Sequence, residues 1–168
     1  MEWLLLTTVP VHNTQDALQR LEWYARRWGI EIWHKILKSG CRIESRQLGT
    51  ALRWERCLAT FSVIAWRIHY ATLLSRVAPD LPCSILLEDA EWQALYCIIQ
   101  NTVVLPKTVP TLSQAVLWIA KLGGFLNRKR DGHPGVTVLW KGFQHLADLS
   151  HMYHLLRPNP ITPLVGKS

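Results

Sequence analysis

Charge is scarce in this sequence. Asp, Glu, Lys and Arg make up 18% of its 168 residues, against 49% apolar residues. That balance excludes a disordered polyelectrolyte, and the length is enough for one ordinary domain with a real core. Long hydrophobic runs are lacking too. The longest, CLATFSVIAW at 57–66, is about half of the roughly 20 residues a membrane span needs, and is expected to be a buried core helix. The apolar start WLLL is too short for a signal peptide and no basic region precedes it. Cysteine is sparse. The four residues at 41, 57, 83 and 97 form no Cys-x-x-Cys pair, which argues against a disulfide framework and fits free thiols in a reducing compartment. There is no internal repeat and no low-complexity segment.

Strand-forming stretches are almost missing. WLLLTTV at 3–9, ended by Pro10, has the continuous apolar character of a strand covered on both faces. Its only potential neighbour is the short VTVL at 136–139. A buried strand with no sheet to join points to a piece of something larger.

What the sequence does have is tryptophan and basic charge. Nine tryptophans run from Trp3 to Trp140, and the formal net charge is +7. Residues 1–76 hold eleven Lys/Arg against six Asp/Glu, while residues 77–168 hold eight against six. The excess therefore sits in the first half. It fits a polyanionic partner, of which nucleic acid is the commonest, and equally a basic protein with none.

The rest reads as helices. Asn13 or Thr14 caps a helix expected from about Gln15 to Ser39, stopped by Gly40. A second is expected from about Gly49 to Arg76, ended by the prolines of APDLP. Residues 79–85 then form a linker. A third helix covers about 88–101. Thr111-Leu112-Ser113-Gln114 is a capping box that opens a fourth, ending at Gly123-Gly124. The basic loop FLNRKRDGHPG leads to a last helix over about 139–156, and the tail from 158 to 168 is expected to fray.

The first helix carries an unusual stripe. At about 100° per residue, with Tyr24 at zero, Arg27 falls near −60°, Glu31 near −20°, Lys35 near +20° and Lys38 near −40°. Arg20 falls near −40° as well. Leu18, Ala25, Ile32 and Ile36 flank it on one side, with Trp23, Ile30, Trp33 and Leu37 further round. A helix so apolar is expected to be embedded, with its polar stripe lining a cleft. The plainer alternative is a solvated face with Arg27–Glu31 and Glu31–Lys35 pairs at i,i+4 spacing, worth roughly 0.2–0.5 kcal/mol each. The array also suits a metal-bound phosphate, the acid holding the cation and Arg, Lys and Tyr holding phosphate oxygens.

Tyr24, Arg27, Glu31 and Lys38 stand in the spacing Y-x2-R-x3-E-x6-K, with Lys35 added. This resembles the DDE transposases of the insertion-sequence-four family, in its transposon-five-like group. WLLLTTVPV looks like that family's strand leading into the motif helix. CRIESRQLGTALRWERCLATFSVIAWRI looks like its next helix. The stretch from EWQALY through LPKTVPTLSQAVLWIAKLGGFLNRKRDGHPGVTVLWKGFQHLADL is similar to its C-terminal dimerisation domain. The resemblance covers about residues 3–156.

It implies a mainly helical chain: the C-terminal part of an RNase H-like core over 1–78, with one N-terminal strand, then a helical dimerisation domain over 86–157. Glu31 would be the third carboxylate of a two-metal Mg²⁺ site that cuts transposon-end DNA. Tyr24, Arg27, Lys35 and Lys38 would contact its phosphates. Two metal ions about 3.5–4 Å apart need more than one acid. Yet none of Asp16, Asp80, Asp89, Asp131 and Asp148 sits in a strand-like run. The chain alone is therefore expected not to cut DNA. The partners implied are transposon-end DNA and a second copy, or a full-length transposase, bound through the C-terminal helices. The location implied is the bacterial cytoplasm, at the nucleoid. Two other readings stand beside this one: a non-catalytic dimerising module that blocks full-length transposase, and a helical interaction protein with no DNA role.

Weaker candidates complete the survey. His151 and His154 have helical ligand spacing but no third ligand. The run Asn127-Arg128-Lys129-Arg130 is either a DNA contact or a solvated loop. Leu117, Trp118, Leu122, Leu139, Trp140 and Leu146 are expected in the core or on a face for a second copy.

Overall fold

A computed structural model describes residues 4–156. In chain order these form α1 (Thr14–Arg26), α2 (Trp28–Lys35), a π-helical turn (Ile36–Gly40), a 3₁₀ turn (Ile43–Ser45) and α3 (Ala51–Val77). A second 3₁₀ turn (Cys83–Ile85), α4 (Asp89–Gln100), α5 (Leu112–Leu122) and α6 (Val136–Leu156) follow. The protein is mainly helical, as expected, and the described residues contain no strand beyond one isolated bridge between Pro82 and Thr111.

The local signals explain most of the boundaries. Asn13 accepts from the Asp16 amide at the start of α1, and Thr50 accepts from the Arg53 amide at the start of α3. The box at Thr111 and Gln114 forms in full, and α4 carries an equivalent box between Glu88 and Glu91.

Both expected strands are corrected. Residues 4–9 are irregular, because no neighbouring strand is present to take their backbone hydrogen bonds. Residues 136–139 are the first turn of α6. There Leu139, Phe143 and Leu146 share a helical face that is buried, and burying that face overrides the β-preference of Val136, Thr137 and Val138.

The expected single helix over 15–39 is divided. At Arg27 the backbone pinches, its amide bonding the Tyr24 carbonyl at 3.1 Å, and Gly29 follows at once. Past Lys35 the ladder widens, and the Cys41 amide reaches the Ile36 carbonyl at 2.9 Å across a π turn. Nor is the helix embedded. No residue of α1 or α2 is buried, and Leu18, Trp23, Ile30 and Ile32 are exposed. Burial begins at Ile36 and Leu37, inside the π turn.

Helix α3 needs a similar correction. By length and composition it could cross a membrane, but in this fold it is a half-buried rod. Ala65, Ile68 and Ala71 face the core; Cys57, Phe61 and Ile64 pack at its edge. Leu58, Val63, Trp66, Leu73 and Val77 face outward, so 57–66 is not a buried core segment. Arg67 ties α3 to the bundle. It pairs with Glu91 at the start of α4, donates to the Leu86 carbonyl at 3.3 Å, and lies 5.1 Å from the centre of the Phe143 ring on α6.

The core lies between α3, α4, α5 and α6, with the π turn and the second 3₁₀ turn closing its ends. Leu139 and Leu146 are fully buried, and Trp118, Leu122 and Trp140 pack against the core. The stretch expected as a linker is stitched down. The Cys83 amide bonds the Pro110 carbonyl, the Leu112 amide bonds Leu81, and the Ser113 amide bonds Pro79, at 2.9, 2.7 and 3.0 Å.

Helices α5 and α6 meet at two glycines. A Cβ on Gly142 would stand 1.9 Å from the Ile119 carbonyl oxygen, and one on Gly123 would stand 1.9 Å from that of Val138. Neither site has room for a methyl group. Gly142→Ala should therefore destabilise the protein by about 1–3 kcal/mol in urea unfolding, since a side chain there pushes on backbone. Gly49→Ala, with no atom within 4 Å of its Cβ, should stay within about 0.5 kcal/mol of the parent.

The four cysteines are free. Burial pushes the thiols of Cys41 and Cys83 up to about 11. The thiolate is the nucleophile, so at pH 8 both should resist iodoacetamide in the folded protein. Mass spectrometry should find Cys57 and Cys97 alkylated first, with Cys41 and Cys83 following on unfolding or as the pH approaches 11.

Candidate functional site

The stripe begins in the last turn of α1 and ends in the π turn. Tyr24 sits one turn before the pinch, with the Arg27 guanidinium carbon 5.4 Å from its ring centre. Arg27 keeps helical dihedrals, so the i,i+4 geometry survives the pinch and its Nη1 reaches Glu31 Oε1 at 2.9 Å. A hydrogen bond with Tyr24, and then one with Glu31, holds the Arg27 pKa above its ordinary value. Arg27 is thus a permanent cation flanked by a phenol and a carboxylate.

Glu31, His34, Lys35, Lys38 and Ser39 line one open depression of about 510 Å³. Lys38 lies within the π turn, where the 100° step no longer applies, yet it still reaches the same hollow as Glu31. It also pairs with Glu44 on the following 3₁₀ turn, at 2.9 Å. Arg20 does not join the group. Its guanidinium stacks on Trp23 at 4.1 Å and donates to Gln19.

Glu31, Lys35 and Lys38 therefore meet at one hollow, with Tyr24 and Arg27 in contact one turn above. The cleft expected from an embedded helix is instead a shallow surface. Sequence reasoning missed His34, Ser39 and Glu44. His34 was within reach, since it falls near −80° on the same projection, beside Arg27. Glu44 was not, because its approach depends on the chain reversal after the π turn.

The aspartates are occupied elsewhere or lie apart. Asp16 accepts from the His12 amide at 3.0 Å, Asp89 from the Trp92 indole at 3.0 Å, and Asp131 from the Arg128 amide at 2.7 Å. Asp80 and Asp148 are exposed on other elements. Among the described residues no three of His, Cys, Asp and Glu gather as metal ligands. Glu31 offers one carboxylate, already paired with Arg27, so the described residues do not by themselves fit a Mg²⁺ ion. They do fit an anion: one side of the hollow is cationic, open and rich in hydrogen-bond donors.

Both partners of the Arg27–Glu31 pair are 49% exposed, so its contribution to folding is small. Arg27→Ala and Glu31→Ala should each shift stability by no more than about 0.5 kcal/mol in urea unfolding. A larger loss would make the pair a structural element of the fold.

Comparison with protein families matches residues 63–157 to the Transposase Tn5 dimerisation domain. The match begins at Val63 in the middle of α3 and runs through α4, α5 and α6, taking in the two glycine contacts and all of the buried core except Ile36, Leu37, Cys41 and Ile43. It covers more than half of the chain, and the chain belongs to the Transposase Tn5 dimerisation domain family, which places it among Tn5-like transposases as a protein built to pair.

Proposed function

We propose that the chain acts in DNA transposition as the C-terminal part of a DDE transposase of the insertion-sequence-four family. On this reading residues 1–78 complete an RNase H-like core and residues 86–157 bring two subunits together. Glu31 is the third carboxylate of a Mg²⁺ site whose two aspartates come from other polypeptide. Tyr24, Arg27, Lys35 and Lys38 hold transposon-end phosphates. The observation that carries the proposal is the shared hollow of Glu31, Lys35 and Lys38, with Arg27 and Tyr24 adjoining. Glu31 and Lys35 are one helical turn apart, but Lys38 reaches the same hollow from within the π turn, where regular helical spacing does not place it. The exposed apolar residues of α1 to α3 fit the same reading, as surface that the rest of such a core would cover.

One observation favours a second reading for the chain acting alone. Glu31 is paired with Arg27, and among the described residues it belongs to no group of three potential metal ligands. A chain in that state binds DNA, pairs with a full-length transposase and blocks it without cutting.

Fluorescence anisotropy with a labelled 20-base-pair duplex, titrated with salt, tests the DNA-binding part. Removing one phosphate contact lowers the slope of log K against log salt by about 0.9. Lys35→Ala and Lys38→Ala should each do so without a change in melting temperature. Unchanged slopes in both variants would remove the phosphate-binding role. A nicking assay in Mg²⁺ should find no cutting by this chain alone. Robust cutting would mean that the other metal ligands lie within it.

A further inference from the structure

The motif hollow does not end at Lys38. A second depression, of about 460 Å³, is lined by Ser39, Gly40, Arg42, Thr137, Trp140, Lys141 and Gln144. Ser39 lines both, so the two hollows adjoin at the π turn. One wall of the second belongs to α6, within the part matched to the dimerisation family. Thr137, Lys141 and Gln144 follow each other at i, i+4 and i+7 on its exposed face, opposite the buried Leu139, Phe143 and Leu146. The side chains of this second hollow include two cations and no acid. On α6 Asp148, one turn past Gln144, ends the basic stretch.

The backbone at Arg42 adds an independent observation. Its φ of 51° and ψ of 43° are left-handed, a conformation disfavoured for any residue with a Cβ. Glycine would take this position more cheaply. The arginine is exposed, forms no ion pair among the described residues, and faces the hollow. Strained backbone of this kind clusters at functional sites, and here it places an exposed cation at the edge of a groove.

The geometry points to a second phosphate-contact site, at which Arg42, Lys141 and Gln144 receive the DNA backbone as it leaves the motif hollow across Ser39. The dimerisation helix thereby becomes part of the DNA track. The assignment rests on the DNA-binding reading above. Arg42 and Lys141 supply charge-assisted contacts, and Gln144 and Thr137 supply neutral hydrogen bonds, a set that holds backbone without reading bases.

The same duplex and salt titration, on the full chain, test it. Arg42→Gly and Lys141→Ala should each lower the salt slope by about 0.9, and Lys141→Arg should restore it. Arg42→Gly should leave the melting temperature unchanged or raised, because glycine relieves the left-handed strain, so weakened binding cannot be ascribed to a failure to fold. Lys121→Ala, on the exposed face of α5 away from both hollows, should leave the slope alone. Full slopes in Arg42→Gly and Lys141→Ala, with lowered slopes in Lys35→Ala and Lys38→Ala, would end the track at Ser39 and overturn this inference alone. Full slopes in all four would overturn the DNA-binding reading with it. Competition by polyglutamate equal to that by DNA of the same charge would reduce the groove to an unselective cationic patch and also overturn it.

Discussion

The burial of Ile36 and Leu37 is the constraint on which the site depends. Every residue of α1 and α2 is at least partly exposed, so those helices are held by the segment after them and by the Trp33 indole, which donates to the Ser62 carbonyl on α3 at 3.3 Å. The π turn does the fixing. It drives two apolar side chains into the space between α3 and α6 and brings Gly40 close beneath Trp140. Fully burying a side chain of this size contributes about 1.5–3 kcal/mol. The widened turn changes the direction in which Lys38 and Ser39 emerge, and it delivers the chain to the left-handed Arg42. One irregular turn thus docks the motif segment and joins two grooves.

Much of this was legible in the sequence. The caps at Asn13 and Thr111 and the prolines around 79–82 are local chemistry, and they set boundaries that the fold obeys. The stripe was legible for the same reason: i,i+3 and i,i+4 spacing needs only a helix to become proximity, and Arg27 and Glu31 do meet. The strand expected at 3–9 does not form over the described residues 4–9, because apolar content says only that a segment wants cover. Whether it pairs depends on a neighbour, which is a non-local fact. The embedded helix failed in the same way. Leu18, Trp23, Ile30 and Ile32 have the pattern of a buried face, but among the described residues they stay exposed.

What stayed hidden is the tertiary part of the site. Glu44 approaches Lys38 only after the chain reverses, and Lys141 is about a hundred residues from Lys38 in sequence. No periodicity links α6 to the motif helix. The glycine contacts are likewise invisible in advance: Gly123 reads as a helix stop and Gly142 as a flaw in a helix. Only the packed pair reveals that each makes room for the other helix's backbone.

Helix α3 is a single unbroken element of 27 residues, about 40 Å long at 1.5 Å per residue. The match to the dimerisation family starts partway along it, at Val63. The family match thus shares one continuous helix with the segment against which the π turn packs. Helix α3 therefore serves two neighbourhoods at once: a bend introduced into it would disturb its seat on α5 and α6 and its seat on the π turn together.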